Sequence, residues 1–491
     1  MLNELNNHFN ETTTENGALA YKTTQSAVLD LFSQGGAMRN RSDSDIVSLF
    51  SKAYAENAEL AMKTLFYLRD IREGQGERKF FRLSLQHLAV HNKESLVKNL
   101  HLIPAFGRWD DLWVLLETPV KADVVSMVKA QLLADKKAEN PSLLAKWMPS
   151  ENASSMKTKK YGAILRKGLG GTPKEYRKLL SKLRAKLNLV ESKLTEGRYA
   201  DIAYDKLPSR AGMIYRGAFF RNDEERYTAF LDSLSKGEVK VNAGTLYPND
   251  IVGKIMRSSG WGGTSPSDVK LFEGQWSNLP KFIGDNKEES IVMADVSGSM
   301  SGVPMEVSIA LAMYIAERNE GAYKDHFMTF SSKPQLVKIQ GSNIVEKVNN
   351  IRRAEWGMNT DIEKALQTLL NVAVKNNLPN EEVIKKIYII SDMQFDEATS
   401  TGSWYDLKPR ENIFGNMKEK FEANGYDFPN IVFWNVRAVE NTPMTMNNDG
   451  VQLVSGYSPS IMTQLLNADG KTPYDFMLDV IMADRYKEVV A

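Results

Sequence analysis

Between Ser290 and Met300 the chain reads Ser-Ile-Val-Met-Ala-Asp-Val-Ser-Gly-Ser-Met, so that Asp295, Ser297 and Ser299 set three short oxygen-bearing side chains at alternate positions. Two further stretches carry the same kind of group: Thr360-Asp361, and Ser391-Asp392. Carboxylates mixed with hydroxyls suit a hard cation. Mg²⁺ takes oxygen ligands octahedrally, keeps several waters, and can leave a position open for an incoming carboxylate or phosphate. A helix cap would explain one such oxygen, but not three separated stretches that each offer one or more.

Catalytic readings fit less well. An aspartyl-phosphate phosphatase wants Asp-x-Asp, and Ser297 stands at the second position. A serine hydrolase elbow wants Gly-x-Ser-x-Gly, and neither Ser297 nor Ser299 has glycine two positions before it. Gly74-Gln-Gly-Glu-Arg-Lys lacks the spacing and the Ser or Thr of a phosphate-binding loop. The five histidines form no zincin motif; His87 and His91 are four apart on one helix face, with no third ligand in the pattern. The chain is therefore expected not to be an enzyme, with a metal-dependent nuclease using Asp295 and Asp392 as the catalytic alternative.

The elements that must position these oxygens read as α/β. Ile291 to Ala294 is an apolar run of strand length that delivers Asp295 into a turn. Val303, Val307, Leu311 and Ile315 form a helical stripe, followed by a strand at His326 to Ser331 and a helix through Ile344, Val348 and Ile351. A helix from Ile362 to Val374, a buried strand from Lys386 to Asp392, a helix near Asn412 to Ala423, a strand from Ile431 to Val436 and a last helix from Pro473 to Val489 complete the pattern. Such alternation predicts a doubly wound, mostly parallel sheet, with ligands beyond the carboxyl ends of its strands.

Helices dominate the earlier part of the chain after its first residues. Ser42-Asp-Ser-Asp caps a helix bearing Ile46, Leu49, Phe50 and Ala53, and short helices follow at a cadence that predicts stacked antiparallel pairs, an α-solenoid. Met1 to Ala18, rich in Asn, Glu and Thr, reads as a flexible tail, either loose or late to dock. Three glycines, four serines and a proline between Ser258 and Asp268 read as a joint, which gives a tail at 1–18, a helical domain at 19–257, a linker at 258–287 and the α/β domain at 288–491.

Charge is ordinary overall and uneven locally. A net charge of +1, with 42% apolar and 25% charged residues, is that of a soluble globular chain without a global sign of nucleic-acid binding. The absence of cysteine rules out disulfides and thiolate sites and fits a reducing cytoplasm, and no apolar run reaches membrane-spanning length. Between Met156 and Lys193, however, there are twelve Lys or Arg and two Glu. Tyr176, Leu179, Leu180, Leu183 and Leu187 form the apolar stripe of a helix whose other side carries Lys174, Arg177, Lys178, Lys182, Arg184 and Lys186. Such a face suits a phosphate backbone, although a merely solvated helix face explains the charge run about as well.

Three motifs, Asp295-Val-Ser-Gly-Ser, Thr360-Asp361 and Ser391-Asp392, resemble the loops of a von Willebrand factor A domain with its metal-ion-dependent adhesion site (MIDAS); Asn359 stands where many members have glycine. The resemblance implies Ser297 and Ser299 as direct ligands of Mg²⁺ or another divalent cation, Thr360 as a direct or water-mediated one, and Asp295 and Asp392 acting mostly through water. Further stretches resemble the Ro autoantigen type, a HEAT-like helical-repeat TROVE ring joined to a von Willebrand A domain, and its little-characterised branch in particular. They are Tyr67-Leu-Arg-Asp-Ile-Arg-Glu-Gly-Gln-Gly-Glu-Arg, Phe106-Gly-Arg-Trp-Asp-Asp-Leu, Lys146-Trp-Met-Pro-Ser, Leu207-Pro-Ser-Arg, Asn242-Ala-Gly-Thr-Leu-Tyr-Pro and Ser391-Asp-Met-Gln-Phe-Asp.

That resemblance implies a ribonucleoprotein scaffold in which small structured or misfolded RNA lies on a basic outer surface and an acidic protein partner meets the metal. The candidate RNA residues are then Lys146, Lys157, Lys159, Lys160, Arg166, Lys167, Arg177, Lys178, Lys182, Arg184 and Lys186, with Arg210 and Arg216 lining the hole. The competing expectation is a metal-dependent protein-interaction module that binds no RNA.

Overall fold

The computed structural model describes residues 8–258, 263–283, 289–320, 322–329, 334–353, 361–396, 413–439 and 441–491. The chain forms two compact units that interleave in sequence: residues 1–41 with 246–483, and residues 42–245 with 484–491.

The first unit is built on a six-stranded mixed sheet. Its strands are β3 (Ser290–Ala294), β4 (His326–Thr329), β5 (Leu336–Lys338), β6 (Lys386–Ser391), β7 (Asn430–Asn435) and β8 (Val451–Ser455), preceded in the chain by a small antiparallel hairpin of β1 (Glu11–Thr13) and β2 (Leu19–Tyr21). The spatial order is β5-β4-β3-β6-β7-β8, all parallel except β5, which runs antiparallel to β4. Strands β3 and β6 are buried along their whole length, which is why their centres, Ile291–Ala294 and Ile387–Ile390, are unbroken apolar runs rather than alternating ones. From β3 the chain crosses to β4 on one side and later returns to β6 on the other. The winding therefore reverses between β3 and β6, where a doubly wound sheet opens a crevice at its carboxyl edge.

Helix Val303–Arg318 packs against this sheet and is buried on nearly every face, in keeping with its almost unbroken apolar sequence. Gly302 precedes it at φ 88°, a conformation that a side chain would strain, and Pro304 lies in its first turn. Helix Pro248–Ser258 lies along it. The Cβ-less Gly253 leaves room for Glu306, which accepts two bonds from Arg257 at 2.5 and 2.6 Å. This helix and Pro266–Ser277, which buries Leu271, Phe272 and Trp276, join the sheet unit, so the compact division falls near residue 245 rather than within 258–287.

Of the two readings of the amino-terminal stretch, loose or docked, its described residues take the docked one. Ala18 and Ala20 are buried, Thr14 donates to the Phe395 carbonyl at 2.6 Å, and the Glu15 amide donates to Gln394 at 2.7 Å. Its polar side chains satisfy another loop's backbone, a pairing that composition does not reveal.

The second unit is helical. Ser42 caps Asp43–Glu56, and Asn57 ends that helix while capping Ala58–Arg69. The rings of Phe66, Phe81 and Phe106 meet edge to face in its core. Two of the motif stretches interlock beside them. Asp111, fully buried, accepts from Arg69 Nη2 at 2.7 Å, from Arg82 Nε at 2.7 Å and from the Arg108 amide at 3.0 Å. Asp110 holds Arg78, Arg82 and Arg108. A Cβ on Gly107 would stand 2.6 Å from Asp111 Oδ2 and 2.8 Å from Arg69 Nε, so this position admits only glycine without displacing the buried pair. Burial raises the Asp110 carboxyl, but the bond from Arg108 and the charges of Arg108, Arg82 and Arg78 outweigh it and hold the group below its ordinary range.

Candidate cation site and basic helix

Register places the oxygens together. Ala294 pairs with Ile390, and the Asp295 amide donates to the Ile390 carbonyl at 2.9 Å, so Asp295 and Asp392 leave adjacent parallel strands at the same edge. Asp295 Oδ1 accepts from the Ser297 amide at 2.8 Å, an Asx turn that folds the following residues back over the strand end. Asp295 Oδ2 accepts from the Ser391 hydroxyl at 2.6 Å, and Ser391 in turn accepts from the Met393 amide at 3.0 Å. The hydroxyls of Ser297 and Ser299 stand 3.1 Å apart.

Asp392 completes the group. Its Oδ1 accepts from the Gln394 amide at 3.3 Å, whereas Oδ2 is buried without a hydrogen bond and has the Arg437 guanidinium 3.6 Å away. Arg437, which is itself largely exposed, also donates to the Ser299 carbonyl. Burial pushes Asp295 up to about 6, against the opposing pull of the Ser391 hydroxyl and the Ser297 amide and with the help of the Asp392 charge. Burial also raises Asp392, countered by the Ser299 hydroxyl, the Gln394 amide and Arg437. Two carboxylates that are hard to ionise together, one oxygen of them without a hydrogen bond, and two hydroxyls alongside are a donor set that a divalent cation fits.

Of the five expected ligands, Asp295, Ser297, Ser299 and Asp392 gather at this edge, and Thr360 lies outside the described residues. Among the described residues no three His, Cys, Asp or Glu side chains gather to hold a metal, so the donor set is one of hydroxyls with two acids. His87 and His91 lie ring to ring at 4.4 Å, with His87 bonded to Ser51 Oγ at 3.1 Å. Sequence reasoning missed Ser391 as the partner of Asp295, although it is named in the Ser-Asp pair, and missed Arg437, which follows the carboxyl end of β7. The signal for Arg437 was there: a third strand ends at the same edge, and its next residues must project there too.

The basic region divides into cations held by the protein and cations left to solvent. Helix Pro173–Lys186 is set by a capping box: the Glu175 amide donates to Thr172 Oγ1 at 3.3 Å, and Glu175 Oε2 accepts from the Thr172 amide at 2.8 Å. Tyr176, Leu180 and Leu183 are buried, as the stripe requires. Arg184, expected on the free face, instead donates to the carbonyls of Ala145 and Met148 at 2.8 Å and to Ser150 Oγ at 3.1 Å. Lys146 pairs with Glu191 at 3.1 Å and Arg166 with Glu151 at 2.8 Å. Lys160 pairs with Glu117, and Lys186 donates to the carbonyls of Lys136 and Ala138, closing the end of helix Lys121–Lys137. Lys159 is half-buried.

Lys167, Lys174, Arg177, Lys178 and Lys182 remain exposed with no ion pair among the described residues, and Lys157 lies exposed over the Tyr161 ring at 5.7 Å. Arg210 and Arg216 belong to a different helix, Ser209–Asn222, where Arg216 donates to the Met213 carbonyl at 2.9 Å. A cleft of about 540 Å³ beside the basic helix is lined by Tyr176, Arg177, Leu180, Arg184, Leu189 and Arg198.

A family model described as a domain of unknown function (DUF2828) matches residues 14–160 and 171–287, more than half of the sequence. The chain belongs to the DUF2828 family. A second model, also described as a domain of unknown function (DUF7788), matches residues 289–485 and so takes in the whole cation-site edge of this DUF2828 chain. The chain is also similar to an uncharacterized protein, L728, of Acanthamoeba polyphaga mimivirus. The two are 32% identical over 511 residues that cover 95% of this chain and 86% of the viral one. The DUF2828 match pauses at 161–170 and resumes at the basic helix. Among the described residues no helix is long and apolar enough to cross a membrane.

Proposed function

We propose that this protein is a non-catalytic, cytoplasmic RNA-binding scaffold that receives small structured or misfolded RNA on the exposed side of helix Pro173–Lys186. The observation that carries the reading is that Lys174, Arg177, Lys178 and Lys182 stand exposed without ion pairs among the described residues, while the same helix buries its apolar stripe. Four free cations on one helix side match a phosphate backbone, and contacts of this kind are led by shape rather than by sequence. In this reading the helical unit is a HEAT-like repeat array of the TROVE kind. The sheet unit is a von Willebrand factor A-like domain whose Ser297, Ser299, Asp295 and Asp392 hold Mg²⁺ or a similar cation, which supplies an open position for an acidic group.

The test is RNA recovery at low salt with Mg²⁺, followed by a salt titration of the recovered RNA. Arg177→Glu, Lys178→Glu and Lys182→Glu together should abolish retention, and neutral replacements at the three positions should lower the salt slope by about two, since each lost phosphate contact removes roughly 0.7–0.9. Unchanged retention and slope would sink the reading. A second reading, a metal-dependent protein-interaction module, is favoured by Asp392 Oδ2, which is buried at the candidate cation site without a hydrogen bond. It requires Mg²⁺-dependent capture of an acidic protein, lost in Asp295→Ala, together with no RNA affinity.

A further inference from the structure

The segment Asp484–Ala491 belongs to the helical unit, although it follows the whole of the sheet unit in the chain. Beyond a single turn at Asp484–Tyr486 it has no regular element of its own, and it is held as peptides are held, by side-chain anchors and a clamped backbone. Arg485 forms a two-pronged pair with Asp70, with Nη2 2.7 Å from Oδ1 and Nε donating to Oδ2. The Tyr486 ring stacks on Phe106 at 5.6 Å and meets Tyr67 edge on, while its hydroxyl donates to Asp70 Oδ2 at 3.2 Å. Buried Lys63 reaches the Tyr486 carbonyl at 3.1 Å. Val489 is fully buried, and the Asn99 side-chain amide binds both backbone groups of Val490, donating to its carbonyl at 2.6 Å and accepting from its amide at 3.2 Å.

The groove is made by the very stretches whose conspicuous sequences the RNA reading leaves unused. Asp70 is fully buried at the end of helix Ala58–Arg69. Gly74 permits the loop after it to close on the helix, because a Cβ there would stand 1.9 Å from the Tyr67 carbonyl oxygen. Gln75 then donates to the Tyr67 hydroxyl at 2.8 Å, fixing the ring that Tyr486 meets. Without an arginine in place Asp70 would be a buried carboxylate lacking its cation, a costly state that makes the groove selective for a guanidinium.

We propose that Tyr67, Asp70, Asn99 and Phe106 form a peptide-recognition groove for the pattern Arg-Tyr-x-x-Val, that Asp484–Ala491 occupies it as an exchangeable ligand, and that the same segment of a second copy can take its place. In cis the tether raises the effective concentration of the segment, so occupancy does not require tight intrinsic binding.

The test uses a fluorescent peptide Asp-Arg-Tyr-Lys-Glu-Val-Val-Ala and two receptors: the full chain carrying Arg485→Ala and Tyr486→Ala, and a chain ending at Ala483. Anisotropy should show saturable binding to at least one of them. Binding should fall at least tenfold when the peptide's arginine is replaced by alanine or the receptor carries Asp70→Asn, and the wild-type chain, whose groove is filled, should bind at least tenfold more weakly. No saturable binding to either receptor up to about 1 mM peptide, the limit of weak specific association, overturns the proposal, as does equal binding by wild type and variants.

Discussion

Replacing Asp111 by alanine should destabilise the helical unit more than any surface change, and the structure sets the size of the effect. Asp111 is fully buried and answers Arg69, itself 2% exposed, as well as Arg82 and the Arg108 amide. Removing the carboxylate leaves the Arg69 guanidinium buried without its anion, a change that costs about 3–5 kcal/mol. Because Arg82 and Arg78 also face Asp110, they keep a partner, which places the cost on Arg69 and holds it within that range. Hydrogen exchange of helix Ala58–Arg69 reports on this unit alone. At about 1.4 kcal/mol per tenfold, its slowest amides should exchange at least 100-fold faster in Asp111→Ala. Arg69→Met combined with Asp111→Leu should recover only part of the loss, because the Arg82 Nε and the Arg108 amide would still lack an acceptor. A change of less than threefold in Asp111→Ala, or full recovery in the double variant, would refute the view that this cluster organises the unit.

Mg²⁺ at 100 times its dissociation constant should stabilise the sheet unit by about 2.7 kcal/mol, a rise in melting temperature of roughly 5–10 °C, and Asp392→Ala should abolish the response in a thermal scan. Asp110 should make the helical unit acid-sensitive. Its folded-state carboxyl lies below the ordinary value, so its contribution is present above the unfolded pKa of about 3.8 and is lost as pH falls below that. The stability gap between wild type and Asp110→Asn, measured in urea, should therefore close between about pH 4 and pH 2. Gly74→Ala should lower the melting temperature of the helical unit by roughly 6–12 °C, because the added methyl meets the Tyr67 carbonyl oxygen, main chain that cannot swing aside; the cost is about 3 kcal/mol.

The amino-acid sequence by itself determined the elements and the kind of chemistry. Apolar runs at Ile291 to Ala294 and Ile387 to Ile390 meant buried parallel strands, and the stripe from Tyr176 to Leu183 fixed which side of the basic helix faces inward. The reason is that periodicity is a local property, set by 2 or 3.6 residues per repeat and read without knowing any neighbour. Tertiary structure decided who meets whom. It gave Asp295 the Ser391 hydroxyl, set Arg437 beside Asp392, turned Arg184 from a free cation into a clamp on three acceptors, and braced the loop after β6 with Thr14 and Glu15. It also ended the last helix at Ile481, where Val489 had been its expected limit, and gave Arg485 and Tyr486 the partners Asp70 and Phe106. An ion pair depends on two positions far apart in the chain, and neither partner's local sequence records the other; only the folded chain brings the two charges within reach.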